Sequence, residues 1–144
     1  MIQFDIKWAA SGPAYVGSIF GIAMLSASSK SIDLFSIAFG AFFGAAMALP
    51  LCAAFFLAAI LAGFALLSRS FAVQFGAFAL AAGPIYYCIL QQLNPMIAQL
   101  DGGAAFGGYL QQILFFVAGL VSSLICMVIA SYGAEHQSIG GQPR

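Results

Sequence analysis

The sequence predicts an all-α integral membrane protein, a bundle of four transmembrane helices whose long second segment is broken at Pro50. Three observations carry that reading. Hydrophobic residues make up 63% of the chain and charged residues only 6%, whereas about a quarter of a soluble domain is charged. The mean hydropathy of +1.05 is an average over all 144 residues, so the apolar excess is not one anchor attached to a soluble head. Finally, the few charges are separated by uncharged runs of the length that crosses a bilayer as a helix, about 20 residues. Residues 1–144 therefore read as a single membrane domain.

The first run covers about 8–28 and is the least apolar, with Ser11, Gly12 and Pro13 near its start. Lys7 and Trp8 suit the interface, where an amine can snorkel and an amphipathic ring is at home. A rival reading is a signal peptide, because Leu25-Ser26-Ala27-Ser28 offers small residues at a possible cut. The second run, 34–67, lies between Asp33 and Arg69 and holds no charge. As one straight helix it would measure about 51 Å, well beyond a hydrocarbon core of about 30 Å. Pro50, which lacks the N–H that a helix interior needs, stands at its middle. Either it kinks one tilted helix or it turns a tight hairpin, which would raise the number of spans to five.

The third run, 71–92, contains Pro84, expected as a second helix break. A loop is predicted over 93–105 from Asn94-Pro95 and Asp101-Gly102-Gly103. The fourth run, 106–132, is free of proline, and a short polar tail follows it. Charge placement does not choose between four and five spans. Four spans put Lys7, Arg69 and Arg144 on the cytoplasmic side, five put Lys30, Arg69 and Arg144 there, and each leaves one basic residue outside. Four is preferred, because Ala48-Leu49-Pro50-Leu51 has nothing polar to set among headgroups. Phe39-Gly40-Ala41-Phe42 is echoed by Phe75-Gly76-Ala77-Phe78, and Cys52 by Cys88 at the same offset.

Several functions are disfavoured by composition. Four basic residues balance four acidic ones without any basic run, so nucleic acid is not an expected partner. Cys52, Cys88 and Cys126 lie in apolar stretches without C-x-x-C spacing and read as small buried hydrophobes. His136 is the sole histidine and sits in the tail, so no cofactor or metal is expected. Asp33, Arg69 and Asp101 fall at the edges of runs, leaving no mid-membrane carboxylate for a proton path. No catalytic residues are expected, and the chain is read as non-enzymatic.

Two residue sets stand out. Gly17-x-x-x-Gly21 and Gly40-x-x-x-Gly44 are small-residue motifs for close helix approach. Ala41, Ala45 and Ala48 continue a small face beside the second, and Phe39, Phe42 and Phe43 fill adjacent space. Such a face serves packing within the chain or docking of a partner. The other set is polar: Tyr86, Tyr87, Gln91, Gln92, Asn94 and Gln99 before the predicted loop, and Tyr109, Gln111 and Gln112 after it. If the last two helices form a hairpin, the two glutamine pairs share one membrane face, lining a vestibule or anchoring at the interface. The expected role is a structural or assembly subunit of a larger membrane complex, partnered by lipid and by other subunits or copies of itself. A bacterial cytoplasmic membrane is the expected location. The alternative is a small homo-oligomeric pore or carrier of the holin or transporter kind.

Overall fold

The computed structural model describes residues 4–28, 33–66, 70–101 and 109–140. Among them every element is helical: α1 (Ile6–Ser28), α2 (Leu34–Met47), α3 (Leu49–Ala65), α4 (Phe71–Asp101) and α5 (Tyr109–Gly140). Three helices, α1, α4 and α5, are long and apolar enough to cross a membrane, and α2 with α3 makes a fourth crossing if the bent pair is one span. Lys30, Arg69 and Arg144, and the start of the fourth run at Phe106, lie outside the described residues.

α1 is the hub. It packs against α2, α3 and α5, while α4 is held by α3. The least apolar of the three candidate crossing helices is thus the central one, because its glycines and alanines trade hydropathy for close helix approach. Its neighbours run antiparallel to it. Gly21 meets Gly40, Gly17 meets Gly44 and Ala48, and Ile6 reaches Gly63. One pass of α1 therefore lies along the whole of α2 and α3. The chain bends by 51° between them and does not double back, as the five-span hairpin would require.

The bend follows from Pro50, which sits in the first turn of α3. There its missing N–H would have had no helical partner in any case. The residue between the two helices, Ala48, keeps helical angles (φ −83°, ψ −7°). Its N–H, 3.1 Å from both the Gly44 and Ala45 carbonyls, closes α2, and its own carbonyl accepts from Cys52 N–H at 2.9 Å to open α3.

Pro84 does not break its helix. α4 runs unbroken through Pro84 and also through Asn94-Pro95, nine residues past the predicted end at Gln92. A proline strains the residue before it partly through that residue's Cβ. Gly83 has none, and Gly12 plays the same part before Pro13 inside α1. At Pro95 the freed carbonyl belongs to Gln91, an exposed residue, where solvent or headgroups can satisfy it. Residues 93–101 of the predicted loop are therefore helical, its remainder lies outside the described residues, and the predicted tail is helical as far as Gly140.

The helix ends use polar side chains where the core cannot. Asp33 caps α2, accepting from Ser36 N–H at 2.8 Å, Asp5 accepts from Lys7 N–H at 2.8 Å at the start of α1, and Gln74 Nε2 donates to the Leu66 carbonyl at 2.8 Å. The Ser36 hydroxyl, and then its backbone N–H, hold the Asp33 carboxyl below the ordinary value of 3.8. The folded state therefore favours the carboxylate. This contribution is complete above pH 3.8 and is lost as pH falls through the lowered value. Hydrogen exchange at the Ser36 amide is expected to quicken over that acid window, and Asp33→Asn should remove the pH dependence while keeping a cap.

The core lies where α3 faces α4 and α5. Phe55 and Phe78 are fully buried, with ring centroids 5.1 Å apart at 87°, and Phe116 closes on Phe55 at 5.6 Å and 86°. These edge-to-face contacts match the aromatic quadrupoles.

Candidate functional site

Both GxxxG motifs are used against each other, inside the chain. A Cβ built on Gly21 would stand 2.8 Å from Gly44 Cα, one on Gly40 would stand 2.9 Å from the Gly21 carbonyl oxygen, and one on Gly17 would stand 2.7 Å from Ala48 Cβ. The neighbours at Gly21 and Gly40 are backbone atoms, which cannot turn aside as a flexible side chain can. Gly17, Gly21, Gly40, Gly44 and Ala48 are buried in this contact, and Ala41 and Ala45 are half-buried at its margin. The motif echo does not extend to structure. Gly76, the counterpart of Gly40, has nothing within 4 Å of the position its Cβ would take.

A second close approach joins α1 to α5. Pro13 has no N–H to give the Ala9 carbonyl, its partner one turn earlier. Ser123 Oγ donates to that oxygen instead, at 2.7 Å. Ala9 and Ser123 are both at 0% exposure, so the bond replaces one that water could not supply. Freed carbonyls of this kind are met by Ser or Thr from neighbouring helices in membrane proteins. Gly12 makes the approach possible, since a Cβ there would lie 2.7 Å from Ser123 Cα. Ser123 thus bonds across to a neighbouring helix, whereas Ser11 bonds within its own, to the Trp8 carbonyl at 3.2 Å. The available signal was a Gly-Pro step inside one span and a serine inside the most apolar one.

The polar set is divided by the fold. Tyr86 is buried on the face of α4 that also carries Phe78, Ala82 and Leu90, and its ring stacks on Phe116 at 6.0 Å and 17°. Tyr87, Gln91 and Gln92 are exposed, as is Gln111, and Gln112 is half-buried. The side chains of Asn94, Gln99 and Tyr109 lie outside the described residues. The two helices do not form a closely packed hairpin. α4 rests on α3 and α5 on α1, and they meet through rings, with Phe116 Cζ 3.9 Å from the position a Cβ would take on Gly83.

The outward faces differ. That of α5 is aliphatic, through Leu114, Val117, Val121, Ile125 and Ile129. That of α2 is aromatic: Phe35, Phe39 and Phe43 stack in sequence at 6.1 and 6.3 Å, with interplanar angles of 14° and 16°. Phe35 and the adjacent Phe42 are about three-quarters exposed, at 76% and 75%. Among the described residues no group of three His, Cys, Asp or Glu side chains is placed to hold a metal ion. No protein-family model, no curated protein and no solved structure matches the chain.

Proposed function

We propose that this protein is a non-catalytic subunit of a larger assembly in a cytoplasmic membrane, of the bacterial kind, and that the aromatic face of α2 receives a neighbouring subunit. The Phe35–Phe39–Phe43 ladder carries the reading. α2 is 14 residues long, about 21 Å, against a hydrocarbon core of about 30 Å. It leans mainly on α1, leaving most of its circumference without a partner among the described residues. Hydrocarbon alone asks nothing more of an outward face than the aliphatic stripe of α5. A ladder of rings already stacked can be buried at little further cost in side-chain freedom, and each aromatic pair across an interface adds about 0.5–1.5 kcal/mol. The small-residue faces, by contrast, are occupied within the chain.

In this reading α1, the α2–α3 pair, α4 and α5 make four crossings. The start of α1, the end of α3, the start of α4 and the end of α5 then share one side, which also receives Lys7, Arg69 and Arg144. The preference of Lys and Arg for the cytoplasmic face places both termini there. Purification from native membrane in mild detergent, followed by native mass spectrometry, tests the assignment. The expected result is a defined complex that Phe39→Ala with Phe42→Ala dissociates without unfolding the chain; monomer alone from the unaltered protein refutes it.

A homo-oligomeric pore or carrier is the second reading, favoured by Gln91, Gln92 and Gln111 pointing away from the chain's own core. An aqueous vestibule lined by them would need several copies around it. Solute flux in liposomes distinguishes this reading from the first.

A further inference from the structure

The bundle's discontinuities fall at one level. In α1 it is the Gly12–Pro13 step, and in the α2–α3 pair it is Ala48 to Pro50. Gly119 of α5 marks the level. A Cβ there would meet Leu51 Cδ2 at 3.1 Å and both Pro13 Cγ and Phe55 Cζ at 3.5 Å. On one side of this level α1 and α2 are locked together through Gly17, Gly21, Gly40 and Gly44. At this level and on its other side, α1, α3, α4 and α5 share the Phe55–Phe78–Phe116 core and its surroundings. α2 leaves the line of α3 by 51° at this level.

The geometry points to a lever: residues 14–28 of α1 and 34–47 of α2 swing as a unit about paired hinges at Gly12–Pro13 and Ala48–Pro50, and the Ser123–Ala9 hydrogen bond is the latch that holds the first hinge. Each observation supplies one part. The interlocked glycines join two helices backbone to backbone, so they move together or not at all. At the hinge level a proline removes one backbone hydrogen bond inside α1, and the α2–α3 pair is interrupted between Ala48 and Pro50. In α1 the loss is made good by Ser123 from α5, a helix outside the lever, so the hinge is stiff only while that bond is made. Beyond the hinge, Phe20 of the lever touches Phe115 of α5 edge-on at 6.3 Å, a contact between side chains that can part without disturbing either backbone. This device is independent of whether the protein is an assembly subunit or a pore.

Double electron–electron resonance on the full chain in lipid nanodiscs tests it. Spin labels at Ala38 of the lever and at native Cys88 of α4, both exposed, report the lever, with Cys52 and Cys126 replaced by alanine. Labels at Phe64 of α3 and Ile129 of α5, also exposed, in a background with Cys88 replaced as well, report the remainder. Ser123→Ala is expected to broaden the 38–88 distance distribution and leave the 64–129 distribution unchanged. A 10° swing moves Ala38, about 15 Å from the hinge at Ala48, by about 2.6 Å, which sets the size of the change. Pro13→Ala returns an N–H to the Ala9 carbonyl, so the Pro13→Ala, Ser123→Ala double variant should regain the narrow 38–88 distribution. The lever is refuted if Ser123→Ala alters neither distance, if it broadens both alike as general loosening would, or if the double variant stays as broad as the single one.

Discussion

Replacing Gly44 by alanine should unseat α2 from α1 and lower stability by on the order of 3 kcal/mol, at the upper end of what a single overpacking substitution costs. A new Cβ on Gly44 would lie 2.9 Å from Gly21 Cα and 2.7 Å from the Gly17 carbonyl carbon. These are backbone atoms of a helix held on its other side by α3 and α5, so relief requires the helices to separate. Separation forfeits dispersion along the whole contact, and in lipid there is little hydrophobic gain to compensate, because acyl chains are as apolar as the side chains. Gly76→Ala is the matched control. The same methyl is added in the middle of a helix, but into open space, and alanine's better helix propensity should raise stability by about 0.5–1 kcal/mol. Thermal melting followed by circular dichroism in one detergent is expected to move in opposite directions for the two variants. Equal shifts would mean that the α1–α2 contact is not the close approach described.

Phe55→Ala is expected to be the next most damaging change. Phe55 is fully buried, stands edge-on to both Phe78 and Phe116, and approaches Gly119. It therefore joins α3 to α4 and to α5, which scarcely touch one another except through rings. In a soluble protein a buried Phe→Ala change costs about 3–5 kcal/mol. Part of that is transfer from water, which vanishes where separated helices remain in hydrocarbon. The cavity and lost ring contacts remain, and about 2 kcal/mol is expected. Reversible unfolding in bicelles would measure it. Phe42→Ala, on the outward face of α2, should leave the stability of the isolated chain nearly unchanged. If Phe42→Ala proved as costly as Phe55→Ala, the outward orientation of the ladder would be wrong.

Much of this architecture was legible in the chain itself. Composition and the spacing of a few charges determine that the protein is built of apolar helices, because so few charges cannot solvate a surface and a helix satisfies its own backbone. Pro50 marked the break, since no uncharged run of that length can remain one straight span. Proline content alone did not reveal which prolines interrupt a helix. Pro84 and Pro13 are carried by a preceding glycine, and Pro13 also by a serine 110 positions away in sequence, at Ser123. Nor did spacing reveal which partner a small-residue face would meet. Gly17, Gly21, Gly40 and Gly44 are fit by spacing for packing within the chain or for another subunit, and only the antiparallel approach of α1 and α2 shows them spent on each other. The polar residues were grouped by nearness in sequence to one loop, but α4 and α5 attach to different neighbours, so Tyr86 enters the core while Tyr87, Gln91 and Gln111 face out. Helix type and length follow from local chemistry. Which face of each helix is satisfied, and by what, depends on contacts between residues far apart in the chain, and these the tertiary structure alone decides.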